Sequence, residues 1–505
     1  MRNRNIWIIL GSTLCWFILW SILCGGPVMF ADALRGLETL RYSELLGTFN
    51  QLYYPNPHRP DDLEQLFVSW WTPGQYQWLS LWLRIFPNIS TATFAAAFVA
   101  YLTGVLGWIR LWKRKNSPVL LVVIALLLFN RNTYWFILMY MGGDVLLFAV
   151  LPFFIHALIW QKNIWRWLPL WVLLGLWAKA SFIVIAIPAI AIRFWPQRYR
   201  CRTYLQILPT VAAAVLAYIL YFQQGSTPTN TIDLEGYVNL PHSRWNGWFY
   251  GLSAPISTNL WGWSTVELLW KGSLINEIVV YVLFGIMVLC TALIVRHLSL
   301  RSLYAKLTLG IWVFFAVFFA VQQMMMSAIS FEVRHFVPVG LLFLPLIWET
   351  LRKRVGSRSF TVIFSIVILV GFVDVLRFPL IKKQIADAHT AHHTLPLPFE
   401  NPQLNLEKNT LLVTDVWTYL CAYPELTHKL AVERLPSDSQ SVTFQVVHGI
   451  ESSFRPVFSM LGKSERNLVA VFFTLTEDDI LQLMAKRNVI IEDFGDHYLV
   501  RELGI

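Results

Sequence analysis

Long apolar runs separated by short polar segments follow one another from the N-terminus to about residue 378, where the pattern stops. Each run approaches the roughly twenty residues that an α-helix needs to cross a hydrocarbon core. The pattern predicts about eleven crossings. They fall at residues 6–24, 90–109, 117–131, 144–160, 166–178, 180–194, 203–223, 276–295, 307–329, 336–351 and 359–378. The third, fifth and sixth runs are short for a bilayer and require burial among neighbours or a thinned membrane. The expected fold class is a polytopic α-helical membrane protein, with residues 1–378 as its transmembrane part.

Two long intervals interrupt the alternation, the external loops 25–89 and 224–275. In the first, FADALRGLETLRYSELLG and SWWTPGQYQWLSLWLRIFP read as amphipathic helices lying on the outer membrane interface. Trp70, Trp71, Trp78 and Trp82 suit that level, because an indole joins an apolar body to one N–H donor. The second interval is rich in Trp, Tyr, Pro, Gly and Ser without a clear period, and reads as an ordered loop covering something.

After Phe378 the composition becomes mixed, and residues 379–505 read as a small soluble α/β domain. TLLVTD, HKLAVERLP and NLVAVFFT are expected strands, and DVWTYLCAYPE and TEDDILQLMAKR are expected helices. NVIIEDFGDHYLVREL is an expected hairpin turning at Gly495.

Composition agrees with the membrane assignment, since 56% of the 505 residues are hydrophobic and only 14% are charged. A soluble chain carries roughly 25% charged residues. The net charge of +10 raises the question of nucleic acid, which the placement of the charges answers. Nearly half of the 40 Lys and Arg residues lie in six short acid-free segments, around Arg4, Lys113, Lys162, Arg200, Arg301 and Lys353. These are every second loop between the predicted crossings. Basic loops stay cytoplasmic, so the N-terminus is expected inside and the C-terminal domain extracytoplasmic, in a bacterial plasma (inner) membrane. No nucleic-acid partner is needed. The basic start and first apolar run have no small-x-small cleavage site after Cys24 and read as a retained signal anchor. The cysteines imply no disulfide framework.

Several segments together resemble a known superfamily. They are the first span followed by a long acidic external loop, TPGQYQWLSLWLRIF, GLWAK between two short spans, and EVRHFVPVGLLFLP entering a late span. This arrangement resembles the GT-C glycosyltransferases, above all the protein O-mannosyltransferase-like and aminoarabinose-transferase-like enzymes. The resemblance implies transfer of a sugar from a polyprenyl-phosphate-linked donor, in membrane lipid, to an acceptor on the outer face. The acceptor itself, whether lipid, glycan or protein, is left open.

In that superfamily an acid shortly after the first span acts as catalytic base or orients the acceptor, and the matching residue is Asp32. A carboxylate within reach of a sugar hydroxyl can accept its proton. Many members carry an acidic pair here, whereas Asp32 is followed by Ala33, and Glu38 is the next acid. The structural alternative is that Asp32 caps or solvates a helix start. Asp144, in MYMGGDVLLF, opens a span on the outer side beside two glycines that permit close backbone approach. An ionisable group there is a functional candidate, or else a helix cap.

A leaving lipid phosphate requires fixed positive charge or oriented donors. Lys179 in GLWAKAS, and Arg334 with His335 in FEVRHFVP, are the outward-facing candidates for contact with it. The plainer readings are snorkelling for Lys179 and a salt bridge with Glu332 or another outer acid for Arg334. Trp245, Trp248 and Tyr250 in the second external loop are candidates to stack on sugar or cover lipid. His389, His392 and His393 in HTAHH read as a solvated linker, not a metal site. The sequence requires no cofactor and leaves a divalent metal open. Two competing readings are a transporter or flippase for a lipid-linked or polyanionic molecule, and a non-catalytic scaffold for envelope assembly.

Overall fold

In hydrocarbon a backbone must satisfy its own N–H and C=O groups, so the apolar runs fold as helices. The computed structural model describes residues 2–29, 31–67, 72–113, 117–140, 142–221, 243–260, 274–324, 333–390, 395–430, 442–447, 459–472, 477–485, 489–494 and 497–502. Among the described residues, six helices are long and apolar enough to cross a membrane. They are Ile89–Trp112, Val119–Leu138, Gly143–Trp160, Cys201–Tyr221, Leu303–Gln322 and Arg358–Leu376. Shorter apolar helices cover Leu10–Leu23, Leu168–Ala178, Phe182–Gln197 and Tyr281–His297.

Two features depart from the sequence-based expectation. The third apolar run breaks at Asn130, whose side chain accepts a hydrogen bond from the Asn132 N–H and so caps a new helix, Arg131–Leu138. Asn130 and Asn132 both donate to the Thr258 carbonyl, at 2.8 and 2.9 Å. Thr258 belongs to the second departure, a helix Ser243–Leu260 inside the interval read as a loop. That helix packs against Leu303–Met324, Val333–Arg354 and Leu274–His297. Its Gly, Ser, Asn and Trp residues have weak intrinsic helix propensity, so tertiary packing decides.

Asp374 lies within the last apolar run and accepts a 3.0 Å hydrogen bond from the Tyr134 hydroxyl. Beside it, the Trp16 indole donates to the Val375 carbonyl, so the first and last long helices are tied together.

The first external interval also differs from a pair of surface helices. Helix Ala31–Leu46 is followed by a hairpin of β2 (Gln51–Pro55) and β3 (Leu63–Phe67), then by helix Gly74–Leu83. Ala33, Leu34, Arg35, Leu37, Glu38, Thr39 and Leu40 are all buried, because helix Gly74–Leu83, β2 and the C-terminal segments Val416–Leu420 and Pro424–Lys429 pack over them. The Trp78 indole donates to the Ala96 carbonyl at 2.9 Å instead of facing headgroups. Trp70 and Trp71 lie outside the described residues.

The C-terminal residues form a five-stranded sheet in the order β6-β5-β7-β9-β8. β5 (Thr410–Thr414), β6 (Thr443–Val446) and β7 (Asn467–Phe472) are parallel, while β9 (Tyr498–Glu502) runs antiparallel to β7 and to β8 (Val489–Asp493). Every residue of β5 is buried, as expected for a central strand with a continuous apolar run. Of the strand expected at HKLAVERLP, Leu430 makes a parallel bridge to Phe444 of β6, and the part after Leu430 lies outside the described residues. Residues 431–441 and the turn at Gly495 lie outside the described residues.

Polar contacts, some of them buried, join this sheet to the membrane part. Arg35 donates to Glu38 at 2.9 Å and to the Val447 carbonyl just beyond β6 at 2.9 Å. Arg41 donates to the His428 carbonyl, and Asp61 in the β2–β3 turn accepts from Ser464 Oγ and the Glu465 N–H. Lys382, buried in the helix that follows the last long apolar helix, donates to the Cys24 and Gly25 carbonyls at the end of the first helix.

Breaking a buried ion pair strands the surviving charge, at a cost of about 3–5 kcal/mol. Arg35→Gln is therefore expected to lower the unfolding midpoint strongly, and Glu38→Gln added to it to restore part of the loss. Burial pushes the Glu38 carboxyl above its ordinary 4.5, against the pull of Arg35. The folded state thus holds the proton more tightly than the unfolded one, and this group's contribution falls as pH rises from about 4.5 through the raised value. Thermal unfolding of detergent-solubilised protein across that range is expected to show the slope in wild type and its loss in Glu38→Gln.

Candidate active site

A two-residue parallel ladder ties together the ends of two helices. β1 (Val28–Met29), leaving the first helix, pairs with β4 (Met139–Tyr140), leaving helix Arg131–Leu138. The chain that enters the Asp32 helix is thereby placed beside the chain that enters the Asp144 helix.

Two further segments close on this point because glycine allows them to. Gly142 adopts φ +54° with its Cα against the Gln75 side chain, where any Cβ would be both strained and crowded. A Cβ on Gly143 would lie 2.7 Å from the Ala178 carbonyl. The Tyr140 hydroxyl completes the join by donating to the Gln75 carbonyl at 3.1 Å.

Asp144 sits in the first turn of helix Gly143–Trp160 and is buried. Lys179 is the C-cap of helix Leu168–Ala178, a position where a cation also faces the negative end of the helix dipole. Its Nζ forms an ion pair with Asp144 Oδ1 and lies 3.3 Å from His335 Nδ1. Arg334, at the start of helix Val333–Arg354, brings Nη1 to 3.6 Å from Asp144 Oδ2. Side-chain exposure is 6% for Asp144, 10% for Arg334 and 18% for Lys179, so water screens these charges poorly. One carboxylate thus faces two cations and an imidazole. With the imidazole neutral, the four side chains carry one net positive charge between them.

Four residues singled out in the sequence therefore meet. Lys179 is paired with Asp144, and the salt bridge of Arg334 to an acid, its plainer reading, is made to Asp144. Glu332 lies outside the described residues. Asp32 lies in the first turn of helix Ala31–Leu46, and its side chain is outside what the structure describes. Glu38 is on a different face of that helix and belongs to the buried contact with Arg35 under the sheet, away from the Asp144 cluster. Tyr250 is buried, with its ring 4.6 Å from Phe284 and 6.1 Å from Phe336, so it packs in the core behind His335 and offers no open stacking face. Trp248 is half-buried, and the Trp245 side chain lies outside the described residues. Among the described residues no group of three or more His, Cys, Asp or Glu side chains is placed to hold a metal.

Sequence reading missed Gln75, Tyr140 and Phe319. Gln75 lies in the TPGQYQW segment itself, while Phe319 sits in a uniformly apolar run and carries no such signal; its ring is 6.1 Å from that of His335. An apolar groove of about 410 Å³ follows Pro188 on helix Phe182–Phe194 and Leu309, Val313 and Val317 on helix Leu303–Met324. Lys179 lies just before the first of these helices, and Phe319 on the second.

No family model and no curated protein matches this sequence. Two solved structures share its fold. ArnT from Cupriavidus metallidurans bound to undecaprenyl phosphate aligns with a TM-score of 0.52 at 11% identity, covering 99% of this chain and 98% of that one. The same protein in the apo state aligns with a TM-score of 0.52 at 10% identity over the same shares. The likeness spans the membrane helices and the C-terminal sheet together, so the chain shares the overall fold of ArnT.

Proposed function

We propose that this protein is a multi-pass membrane glycosyltransferase that moves one sugar from a polyprenyl-phosphate carrier to an acceptor hydroxyl at the extracytoplasmic face. The observation that carries the reading is the convergence of Lys179, Arg334 and His335 on the buried Asp144 at the outer ends of separate helices. That a protein of this fold binds undecaprenyl phosphate supports the choice of donor. The apolar groove supports it too, being suited to a hydrocarbon chain. On this reading about eleven crossings, set by the alternating basic loops, leave the N-terminus cytoplasmic and the C-terminal sheet outside, in a bacterial inner membrane.

In the reaction an acceptor oxygen attacks the anomeric carbon and the bond from that carbon to the phosphate oxygen breaks. The phosphate leaves with the electron pair and gains negative charge, while the acceptor proton goes to a carboxylate. Lys179 and Arg334 answer the growing charge, and Asp144 keeps both cations aimed before donor arrives. Because Asp144 is already engaged by two cations, the base is assigned to Asp32, in the helix that β1 leads into.

A panel of radiolabelled polyprenyl-phosphate sugars offered to purified protein tests this. Asp32→Asn is expected to lower sugar release or transfer by about 10²–10⁴-fold with an unchanged unfolding midpoint. Full turnover in that variant would remove Asp32 from the mechanism. Lys179→Met and Arg334→Met are each expected to weaken donor binding by about tenfold or more, as loss of a charge-assisted contact does. Equal affinity of both variants and wild type for donor would show that the cluster is structural only.

A further inference from the structure

Two of the basic loops between the apolar runs are brought together by the fold. Helices Gly143–Trp160 and Phe182–Phe194 end, and helices Leu168–Ala178 and Cys201–Tyr221 begin, on the side remote from Asp144 and Lys179. Leu168–Ala178 packs on the other three, and the 3₁₀ segment Ile164–Arg166 just before it packs on Cys201–Tyr221. The segment carrying Lys162 and Arg166 is thereby placed beside the segment carrying Arg198, Arg200 and Arg202. Between Asp144 and Asp233 the chain has no acidic residue, and among the described residues none of these five cations forms an ion pair.

Arg198 is held in place without a counter-ion. Its guanidinium carbon stands 4.5 Å from the Trp195 ring centre and 4.4 Å from that of Tyr199. It donates to the Trp195 carbonyl and to the Tyr199 hydroxyl, each at 3.1 Å. A guanidinium has five N–H donors, so these two bonds leave others for a phosphate. The rings that hold it are themselves exposed, Trp195 at 62% and Tyr199 at 84%, as is Trp167 at 57%. Exposed indoles and phenols beside cations suit the headgroup level of a membrane, because each ring is apolar with one polar tip. Along helix Cys201–Tyr221 the exposed side chains pass from Arg202 through Tyr204 to Leu205 and Leu208, which is the order of charge, interface and hydrocarbon in an amphiphile. A soluble anion matches the cations alone, whereas an anionic phospholipid matches all three surfaces.

We infer that these two segments form a binding site for the phosphate headgroup of an anionic phospholipid in the leaflet at this end of the helices, with its acyl chains along helix Cys201–Tyr221. The site lies at the opposite ends of the helices from the Asp144 cluster, so the inference stands apart from the glycosyltransferase reading. The test is native mass spectrometry of the full-length protein in a neutral detergent, titrated with phosphatidylglycerol or with phosphatidylcholine of the same chains. Phosphatidylglycerol is expected to bind about tenfold more tightly, and the triple variant Arg198→Gln, Arg200→Gln, Arg202→Gln to lose about that factor. Trp195→Ala with Tyr199→Ala keeps every charge and is expected to weaken binding about threefold through loss of the stacking on Arg198. Neutralising a different basic loop to the same extent, by Arg352→Gln, Lys353→Gln and Arg358→Gln, is expected to leave affinity for the lipid unchanged. Equal affinity for the two lipids, no loss in the triple variant, or equal losses from the two neutralised loops would each overturn the assignment. Displacement of the lipid by inorganic phosphate would overturn it as well, in favour of a free anion. If the triple variant does not fold, Arg198→Gln alone, expected to weaken binding about threefold, decides the same question.

Discussion

Charge in a membrane protein must be neutralised inside the protein or kept at its edge, and the ion pairs of Asp144 with Lys179 and Arg334 meet both demands at once. A lone ionised group at this depth carries a desolvation cost that only a close partner offsets. The pairing therefore fixes where three helices begin or end: Gly143–Trp160, Leu168–Ala178 and Val333–Arg354. The glycines at 74, 142 and 143 and the β1–β4 ladder are the packing terms that let the backbones come close enough for the charges to meet. A fixed group of cations with one counter-ion is also what the proposed lipid-phosphate donor requires, so on that reading the element that organises these helix ends is the element suited to the chemistry.

Helix Ala31–Leu46 joins the two parts of the molecule. One end begins with the segment carrying Asp32; its middle buries Arg35 and Glu38 under the C-terminal sheet; and Arg41 holds the His428 carbonyl. The sheet is thereby more than an appendage. The short helices beside it, Val416–Leu420 and Pro424–Lys429, pack on the helix that follows the first span.

The periodic apolar runs and the acid-free basic loops make the helical membrane architecture legible in the sequence, because crossing a bilayer imposes length and hydrophobicity on each segment separately. The central strand TLLVT and the strand NLVAVF are legible for a similar reason, since burial on both faces leaves a continuous apolar signature. The chemical types of Asp144, Lys179, Arg334 and His335 are equally visible, because an ionisable residue beside an apolar run stands out. Their mutual contact is not, since nothing local in three segments so far apart in the chain specifies who meets whom.

Helix Ser243–Leu260 and the break at Asn130 depend on each other through the Thr258 carbonyl, so neither has a one-segment signature. The burial of Ala31–Leu46 is hidden for the same reason: its acids and arginines read as a solvated face until the sheet covers them, when Arg35 and Glu38 become each other's partner. Local composition thus dictates which segments are helices in a membrane and which charged residues are out of place there. Which of those residues satisfy one another is settled only by the folded arrangement, because pairing depends on distance in space and on glycines whose value appears only when a second backbone arrives.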